Sequence, residues 1–157
     1  MIKCTFENGD SAMLRHVCVD TLVIKENKLL LVKRVDKLLE GGKWGVIGGF
    51  VERDENIKQA AAREVMEETG YAVSNIQLMT IRDNPDRPHE DRQNIAFVFF
   101  CEAGEKIGKP DWESTTQEWF SFDSLPKEEE IAFDHYKNIE LYIKFKKQGF
   151  DIPFLSE

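Results

Sequence analysis

Residues 49–71 read GFVERDENIKQAAAREVMEETGY, and this stretch decides how the rest of the chain is interpreted. It places three glutamates within five positions, namely Glu64, Glu67 and Glu68. On an exposed helix, carboxylates three or four residues apart repel one another by roughly 0.2–0.5 kcal/mol per pair. The sequence must therefore either tolerate this repulsion or use it.

The segment predicts a helix over residues 55–69. No Pro or Gly interrupts it, Asp54 is a suitable N-cap, and Gly70 is a suitable C′ residue. At about 100° per residue, the three glutamates share one arc of the helix, and Ala60 among them leaves room for a ligand to approach. Beside this arc runs a stripe suited to the core, formed by Ala61, Ala62, Val65, Met66 and Thr69.

Two interpretations of the acidic arc are open from the helix alone. It is either a solvated face or a site for a hard divalent cation such as Mg²⁺. Mg²⁺ commonly takes one or two protein carboxylates and keeps its other positions for water and substrate phosphate. The wider spacing of the stretch decides between the two.

The stretch resembles the signature of the Nudix hydrolases. Five residues separate Gly49 from Glu55, and seven more separate Glu55 from the run REVMEETG at 63–70. Seven identities stand at fixed spacing, and a chance match at a given start is on the order of 10⁻⁸ to 10⁻⁹. The resemblance implies one domain over residues 1–157, an α/β/α sandwich with a central mixed sheet and a loop–helix–loop catalytic box. It also implies hydrolysis of a nucleoside diphosphate linked to another group, with Mg²⁺ or Mn²⁺ as cofactor.

The same resemblance assigns metal ligands residue by residue. Glu67 and Glu68 match metal-binding glutamates, and the carbonyl of Gly48 matches a backbone ligand. Glu64 matches a position that binds metal or, in some members, acts as the general base. Glu113 resembles a further ligand that some members place just before a late strand.

The resemblance also places Arg63 in the catalytic machinery, as the arginine that holds the box glutamates, with Glu55 as its partner. The chain departs from the common pattern at three positions. Ile47 stands where many members have proline, and Arg53 and Asp54 replace a frequent x-Gly pair. None of the three is a proposed ligand, so the departures bear on loop geometry rather than on activity.

Outside the box, the sequence predicts alternating but irregular strands and helices, which is typical of an α/β protein with a mixed sheet. A turn at ENK, residues 26–28, predicts a hairpin between the first two strands. The predicted strands cover 16–25, 29–34, about 44–47, 72–81, 94–103 and 118–122, and a second helix covers 134–148.

Composition restricts the partners and the compartment. A net charge of −8 argues against duplex nucleic acid or an anionic membrane as the main partner. No apolar run approaches 18 residues, so no membrane span is expected. The chain has three cysteines, Cys4, Cys18 and Cys101, and no CxxC pair. This pattern indicates reduced thiols, so we expect a cytoplasmic protein.

Substrate binding is predicted at the loop 82–92, RDNPDRPHEDR, which loosely resembles a loop of the ADP-ribose pyrophosphatases. One interpretation is a solvated loop of mixed charge. The other is that Arg82, Arg87 or Arg92 binds the diphosphate or the terminal sugar, while Glu90 acts as base or ligand.

Other candidates come from strands. Arg34 either reaches the phosphate or faces solvent. Trp44, Phe50 and Trp112 either stack on a nucleobase or, for residues near strands, pack in the core.

The sequence thus predicts a metal-dependent pyrophosphohydrolase for ADP-ribose or another nucleotide sugar, with a homodimer as a further possibility. Three alternatives stay open. The first is a nucleoside triphosphate pyrophosphohydrolase that cleans the nucleotide pool. The second is a nucleotide-sensing or protein-binding module without turnover. The third is an RNA-end pyrophosphohydrolase, which the acidic balance disfavours.

Overall fold

The computed structural model describes residues 1–87, 91–112 and 114–155. This part of the chain contains nine strands, two α-helices and a 3₁₀ turn at Glu128–Glu130. The strands are β1 (Ile2–Thr5), β2 (Ser11–Leu14), β3 (Val17–Lys25), β4 (Lys28–Arg34), β5 (Trp44–Gly45), β6 (Ile47–Phe50), β7 (Tyr71–Arg82), β8 (Ile95–Lys106) and β9 (Ser114–Ser121). The helices are α1 (Ile57–Thr69) and α2 (His135–Gln148).

Seven of these described strands form one mixed sheet, as predicted. Its main path runs β5–β4–β3–β8–β7, while β6 also pairs with β3 and β9 with β4. Strands β3 and β8 are parallel, from Val17 opposite Ile95 to Ile24 opposite Glu102. The other pairings in the sheet are antiparallel. Strand β3 therefore lies at the centre, with three neighbours.

The predicted hairpin between β3 and β4 is confirmed. Lys25 pairs with Lys28, so the loop has two residues. Glu26 and Asn27 have φ angles of 49° and 59°. Two consecutive positive φ values are the mark of a type I′ turn, whose twist matches that of the flanking strands.

The two faces of the sheet carry one helix each, which confirms the α/β/α arrangement. Successive side chains of a strand point to opposite faces. One apolar cluster joins α2 to the sheet through Leu22, Leu29, Leu31, Val98, Ile139 and Tyr142. The other face packs on α1 through Val19, Val23, Leu30, Val32, Ala60, Ala61, Val65 and Phe99.

The start of α1 differs from the prediction. Asn56, not Asp54, is the N-cap: its side chain accepts from the backbone N–H groups of Lys58 and Gln59 at 3.0 and 3.1 Å. Asp54 has a φ of 70° and lies in the preceding loop. At the other end Gly70 has a φ of 78° and donates its N–H to the Met66 carbonyl, so the predicted C-terminal end is confirmed.

The residues of α1 that are buried also differ from those that the helical wheel predicted. Ala60 is fully buried and packs with Val19 and Phe99, so the space beside it is filled by the sheet and not by a ligand. Glu68 is 6% exposed, while Met66 is only partly buried. The buried face is therefore rotated toward the glutamates, and this rotation carries Glu68 inward.

An N-terminal hairpin was not predicted. Strands β1 and β2 pair with each other, Ile2 opposite Leu14, in a sheet of their own. Both strands have four residues and are largely exposed, so they lack the alternating burial that marks a strand in sequence. In the described ranges, no helix has the length and hydropathy needed to cross a membrane.

Candidate active site

The site begins where β6 passes close to β3 and to α1. A Cβ added to Gly48 would lie 2.1 Å from the carbonyl oxygen of Val19. One added to Gly49 would lie 2.3 Å from Glu64 Oε1. Both contacts are shorter than real Cβ contacts, so a side chain at Gly48 would displace the backbone of β3, and one at Gly49 would displace the Glu64 carboxylate. The two glycines therefore let the strand backbone meet the acidic helix directly.

Arg63 is the centre of the polar network on α1. Its Nε and Nη2 donate to Glu55 Oε2 and Oε1 at 3.0 and 2.7 Å, a two-pronged pairing that confirms the expected partner. Its Nη1 donates to Glu64 Oε1 at 2.8 Å and to Glu67 Oε2 at 2.9 Å. Nη2 also donates to the Phe50 carbonyl at 2.9 Å. One guanidinium thus offsets the repulsion among the helix carboxylates.

This pairing shifts both pKa values toward the charged forms. The hydrogen bond from Arg63 and then the backbone N–H of Glu52 lower the pKa of Glu55. The bond to Glu55 raises the pKa of Arg63, with smaller contributions from the other two carboxylates. The Arg63–Glu55 pair is therefore ionic throughout the neutral range.

The three box glutamates differ in their surroundings. Glu68 is buried, and its Oε1 accepts the N–H of Gly48 at 3.0 Å. The side chain of Glu64 is 14% exposed and lines a cavity, whereas that of Glu67 is 51% exposed. The helix therefore carries a buried, a half-buried and an exposed carboxylate, and of these three Glu64 lines the cavity.

These residues suit a hard divalent cation by their chemistry, because carboxylate and carbonyl oxygens are the ligands that Mg²⁺ and Mn²⁺ accept. The close approach of β6 to β3 also places the carbonyl oxygen of Val19 beside Gly48. Within the described ranges, no three His, Cys, Asp or Glu side chains already converge on one point. Instead, Glu64 and Glu67 accept hydrogen bonds from Arg63, and Glu68 accepts one from Gly48. A bound ion would replace some of these contacts.

A cavity of about 340 Å³ lies beside Glu64. It brings together three of the predicted substrate-binding residues, Arg34, Arg87 and Arg92. Phe50, whose side chain is 43% exposed, forms part of its wall. The Arg92 guanidinium lies 5.6 Å from the centre of the Phe50 ring. A concave site with an acidic side and an arginine side suits an anionic ligand that also binds metal.

Two predicted residues lie elsewhere. Trp44 packs edge-on against Phe120 at 5.0 Å, within the apolar cluster under α2. Arg82 donates from Nε to Asn138 Oδ1 at 2.9 Å, on the side of α2. Neither residue lines the cavity. Glu90 and Glu113, the other two candidates, lie outside the described residues.

The cavity wall also contains residues that sequence reasoning missed, namely Cys18, Asp20, Glu52, Asn94, Phe133 and His135. Asp20 carried a usable signal, because it interrupts the apolar strand VCVDTLVI with a charge. It is 6% exposed, and its Oδ2 lies 3.7 Å from Arg87 Nη2. Burial raises the pKa of Asp20 to about 6, against the opposing effect of Arg87.

His135 is held neutral beside Asp20. Its Nδ1 accepts the N–H of Val46 at 3.2 Å, so the ring proton belongs on Nε2, which lies 3.8 Å from Asp20 Oδ1. Burial, together with the positive charge of Arg87, lowers the pKa of His135 to about 3. The imidazole therefore supplies a donor and no charge at neutral pH.

The architecture and this pocket define a class: an α/β protein whose acidic loop–helix adjoins an arginine-lined cavity. Comparison with known protein families identifies one that matches most of the chain. The NUDIX domain family matches residues 14–142. An ADP-ribose pyrophosphatase of Methanocaldococcus jannaschii is 36% identical over 131 residues, which cover 83% of this chain and 74% of that protein. The NAD-capped RNA hydrolase NudC of Salmonella typhi is 33% identical over 111 residues, covering 69% of this chain but 40% of that protein.

Solved structures agree. A NUDIX hydrolase from Nitrosomonas europaea superposes with a TM-score of 0.78 at 25% identity, covering 98% of this chain and 91% of that one. A bifunctional NMN adenylyltransferase/ADP ribose pyrophosphatase from Francisella tularensis, complexed with AMP and a Mn ion, gives 0.68 at 28% identity. The match covers 83% of this chain and 42% of that one.

The chain belongs to the Nudix family. It is a hydrolase of phosphoanhydride bonds, that is, a pyrophosphohydrolase. Enzymes of this family generally use divalent metal ions.

Proposed function

We propose that this enzyme hydrolyses ADP-ribose, or a closely related nucleotide sugar, at its diphosphate. The observation that carries the proposal is the cavity whose wall contains Arg34, Arg87 and Arg92 together with Glu64 of the acidic helix. In a chain of net charge −8, such a concentration of arginine indicates an anionic ligand. The relative at 36% identity, which is named an ADP-ribose pyrophosphatase, supports the same substrate.

The cavity offers each part of this substrate a place. Guanidinium groups pair with phosphate oxygens, so the arginines suit the diphosphate. The exposed ring of Phe50, with the Arg92 guanidinium over it, suits a nucleobase that stacks on aromatic and cationic planes. The polar groups deeper in the wall, Asn94 among them, suit sugar hydroxyls.

In the proposed site, Glu67, Glu68 and the Gly48 carbonyl would hold Mg²⁺, with Glu113 as a further ligand. When bound, the ion neutralises diphosphate charge and lowers the pKa of water. The buried position of Glu68 and its bond to Gly48 N–H support its role as the fixed inner ligand. The Mn ion in the Francisella tularensis complex supports a divalent cation of this kind.

Individual residues of the chain then have separate roles in the proposed hydrolysis. Glu64, which lines the cavity, accepts a proton from the water that attacks phosphorus. The bridging P–O bond breaks, and the sugar phosphate leaves with the bridging oxygen. Arg63, fixed by Glu55, holds Glu64 and Glu67 in place while their charges are used. The arginines of the cavity wall bind the diphosphate oxygens in the substrate and in the transition state alike.

Three properties of the whole chain belong to the same proposal. Residues 1–157 form a single domain, which is supported by three apolar clusters that share one sheet. The protein works in the cytoplasm, which is supported by cysteines that form no disulfide although all three are described. It forms a homodimer through the N-terminal hairpin, which is supported by the exposed apolar side chains of β1 and β2.

Product identification tests the proposal. The protein is incubated with Mg²⁺ and, separately, with ADP-ribose, nucleotide sugars, dinucleoside polyphosphates and nucleoside triphosphates. We expect AMP and ribose 5-phosphate from ADP-ribose. Glu68→Gln is expected to lower this turnover by at least about 100-fold, because it removes an inner metal ligand. Glu140→Gln, an exposed glutamate on α2, is the matched control and keeps full activity.

The outcomes separate the alternatives. A monophosphate and pyrophosphate from a triphosphate, with ADP-ribose untouched, would assign the enzyme to nucleotide-pool cleaning instead. Turnover of none of the compounds, with nucleotide binding intact, would contradict catalysis and favour a sensor. Normal rates in Glu68→Gln at saturating Mg²⁺ would overturn the metal assignment.

A further inference from the structure

Phe133 occupies an unusual backbone conformation at the cavity wall. Its φ is +53°, in the left-handed region that bulky side chains rarely adopt. The neighbouring backbone fixes this conformation, because Ala132 donates its N–H to the Trp44 carbonyl at 2.7 Å. Strained backbone of this kind persists where the surroundings enforce it, and it is often associated with a functional site.

The ring of Phe133 lies under two arginines of the cavity. The guanidinium carbon of Arg34 is 5.1 Å from the ring centre, and that of Arg87 is 4.9 Å from it. Both distances fall within the range of a cation–π contact. All three residues line the cavity beside Glu64. One aromatic ring therefore contacts two cations that come from different segments, β4 and the loop after β7.

Two guanidinium groups that contact the same ring repel each other, and carboxylates near Phe133 offset that repulsion. The next residue, Asp134, accepts from Arg87 Nε at 2.8 Å. Asp20 adds a second carboxylate, 3.7 Å from Arg87 Nη2. The face of an aromatic ring is itself electron-rich, so it also attracts both cations. The turn at 133–134 thus supplies both the ring and one of the balancing charges.

We propose that Phe133 is a positioning residue whose ring holds Arg34 and Arg87 ready to bind the diphosphate of the substrate. The inference rests on the proposed function, since the diphosphate is its ligand. Long arginine side chains lose conformational entropy when they bind a phosphate. Holding them against a ring before the ligand arrives reduces that cost, and affinity rises accordingly.

Kinetics of Phe133→Leu test this role, because leucine keeps an apolar side chain but removes the aromatic face. We expect the KM for ADP-ribose to rise about five- to tenfold while kcat stays within about twofold. Phe133→Tyr keeps the face and should restore a KM near that of the wild type. The matched control is Phe150→Leu, a half-buried ring that contacts Phe145 and Phe154 and does not line the cavity.

Calorimetry with inorganic pyrophosphate and Mg²⁺ separates this inference from the proposed function. Weaker pyrophosphate binding by Phe133→Leu than by the wild type supports the positioning role even if ADP-ribose proves not to be a substrate. Equal pyrophosphate affinity and equal KM in Phe133→Leu and Phe150→Leu would overturn it. Absence of pyrophosphate binding by the wild type would overturn it too, because the two arginines would then bind no diphosphate.

A double substitution gives an independent check. If Phe133 acts through Arg34, then Phe133→Leu should change KM less in an Arg34→Gln background, which has no cation on the ring, than in the wild type. Full additivity of the two changes would contradict the coupling and would leave the ring a purely structural role.

Discussion

Arg63 shows how one residue lets α1 keep an acidic face at the active site. Its guanidinium contacts Glu55, Glu64 and Glu67 at once, and its side chain is 23% exposed. A lysine has no planar fork and could not reproduce the two-pronged bond to Glu55. The box arginine therefore offsets part of the negative charge that the helix concentrates on this face.

Asp20 gives a prediction for stability against pH. Its pKa rises from an ordinary 3.8 to about 6 in the folded protein, so between these values the folded state binds more protons than the unfolded state. Ionised Asp20 therefore destabilises the fold as pH rises through this window. Asp20→Asn removes the effect. Relative to the wild type, we expect the variant to gain on the order of 2 kcal/mol in unfolding free energy between pH 4 and pH 7.

Urea unfolding at several pH values measures this difference in unfolding free energy between Asp20→Asn and the wild type. His135 acts in the opposite direction, because its lowered pKa makes the folded state bind fewer protons below about pH 6.5. The comparison must therefore be made between variants at each pH and not from the wild-type curve alone. Asp151→Asn, an exposed aspartate near the chain end, is the control. Parallel stability profiles for Asp20→Asn and the wild type would contradict the raised pKa.

At the scale of residues, the sequence identified contacts within one motif and missed several residues that other segments bring to the cavity. Arg63 and Glu55 lie within one motif, so the resemblance to the Nudix signature was enough to pair them. Asp20, Phe133 and His135 reach the cavity from β3 and from the start of α2, far apart in sequence. No local period links such segments, because only the folded sheet brings them together.

The start of α1 provides a test at the scale of the element. Asn56→Ala removes the side-chain oxygen that accepts two backbone N–H groups, and this should cost about 1 kcal/mol of stability. Asp54→Gly, by contrast, should leave stability equal or slightly higher, because glycine tolerates a φ of 70° without strain. Thermal unfolding of the two variants measures both effects. The reverse order would restore Asp54 as the cap.

The helix boundary shows why sequence alone placed the cap two residues early. Asp54 and Asn56 are both good capping residues, and only the backbone conformation distinguishes them. An N-cap residue usually has extended backbone, as Asn56 does with φ −93° and ψ 166°. The central strands, the second helix and the end of α1 were predicted well because each has strong apolar periodicity or a glycine stop.

At the scale of the whole molecule, the N-terminal hairpin is the feature that most needs a partner. Ile2, Phe6, Met13 and Leu14 are each between 44% and 55% exposed. A two-stranded hairpin is only marginally stable in water unless something covers it. Ile2 and Leu14 pair across the two strands and therefore share one face of the hairpin, whereas Met13 lies on the other face. An exposed apolar pair suits an interaction site, and a second copy of the chain is the partner that we propose.

A paired substitution tests the homodimer. Ile2 and Leu14 lie opposite each other across the hairpin, so Ile2→Glu with Leu14→Lys replaces an apolar pair by an ion pair without like-charge repulsion. Light scattering after size-exclusion chromatography should show a dimer for the wild type and a monomer for the variant. Ile107→Glu, an exposed residue outside the hairpin, should stay dimeric. A monomeric wild type at high micromolar concentration would refute the proposal.

The central position of β3 has a consequence for how the protein is made. Its parallel neighbour β8 begins at Ile95, so a nascent chain exposes one edge of β3 until that segment leaves the ribosome. The catalytic loop and α1 are synthesised before this partner strand, yet they pack on a sheet that is still incomplete. Pairing strands so distant in sequence slows folding. The newly made chain therefore exposes an apolar strand edge until the segment that begins at Ile95 has left the ribosome, and aggregation is most favoured in that interval.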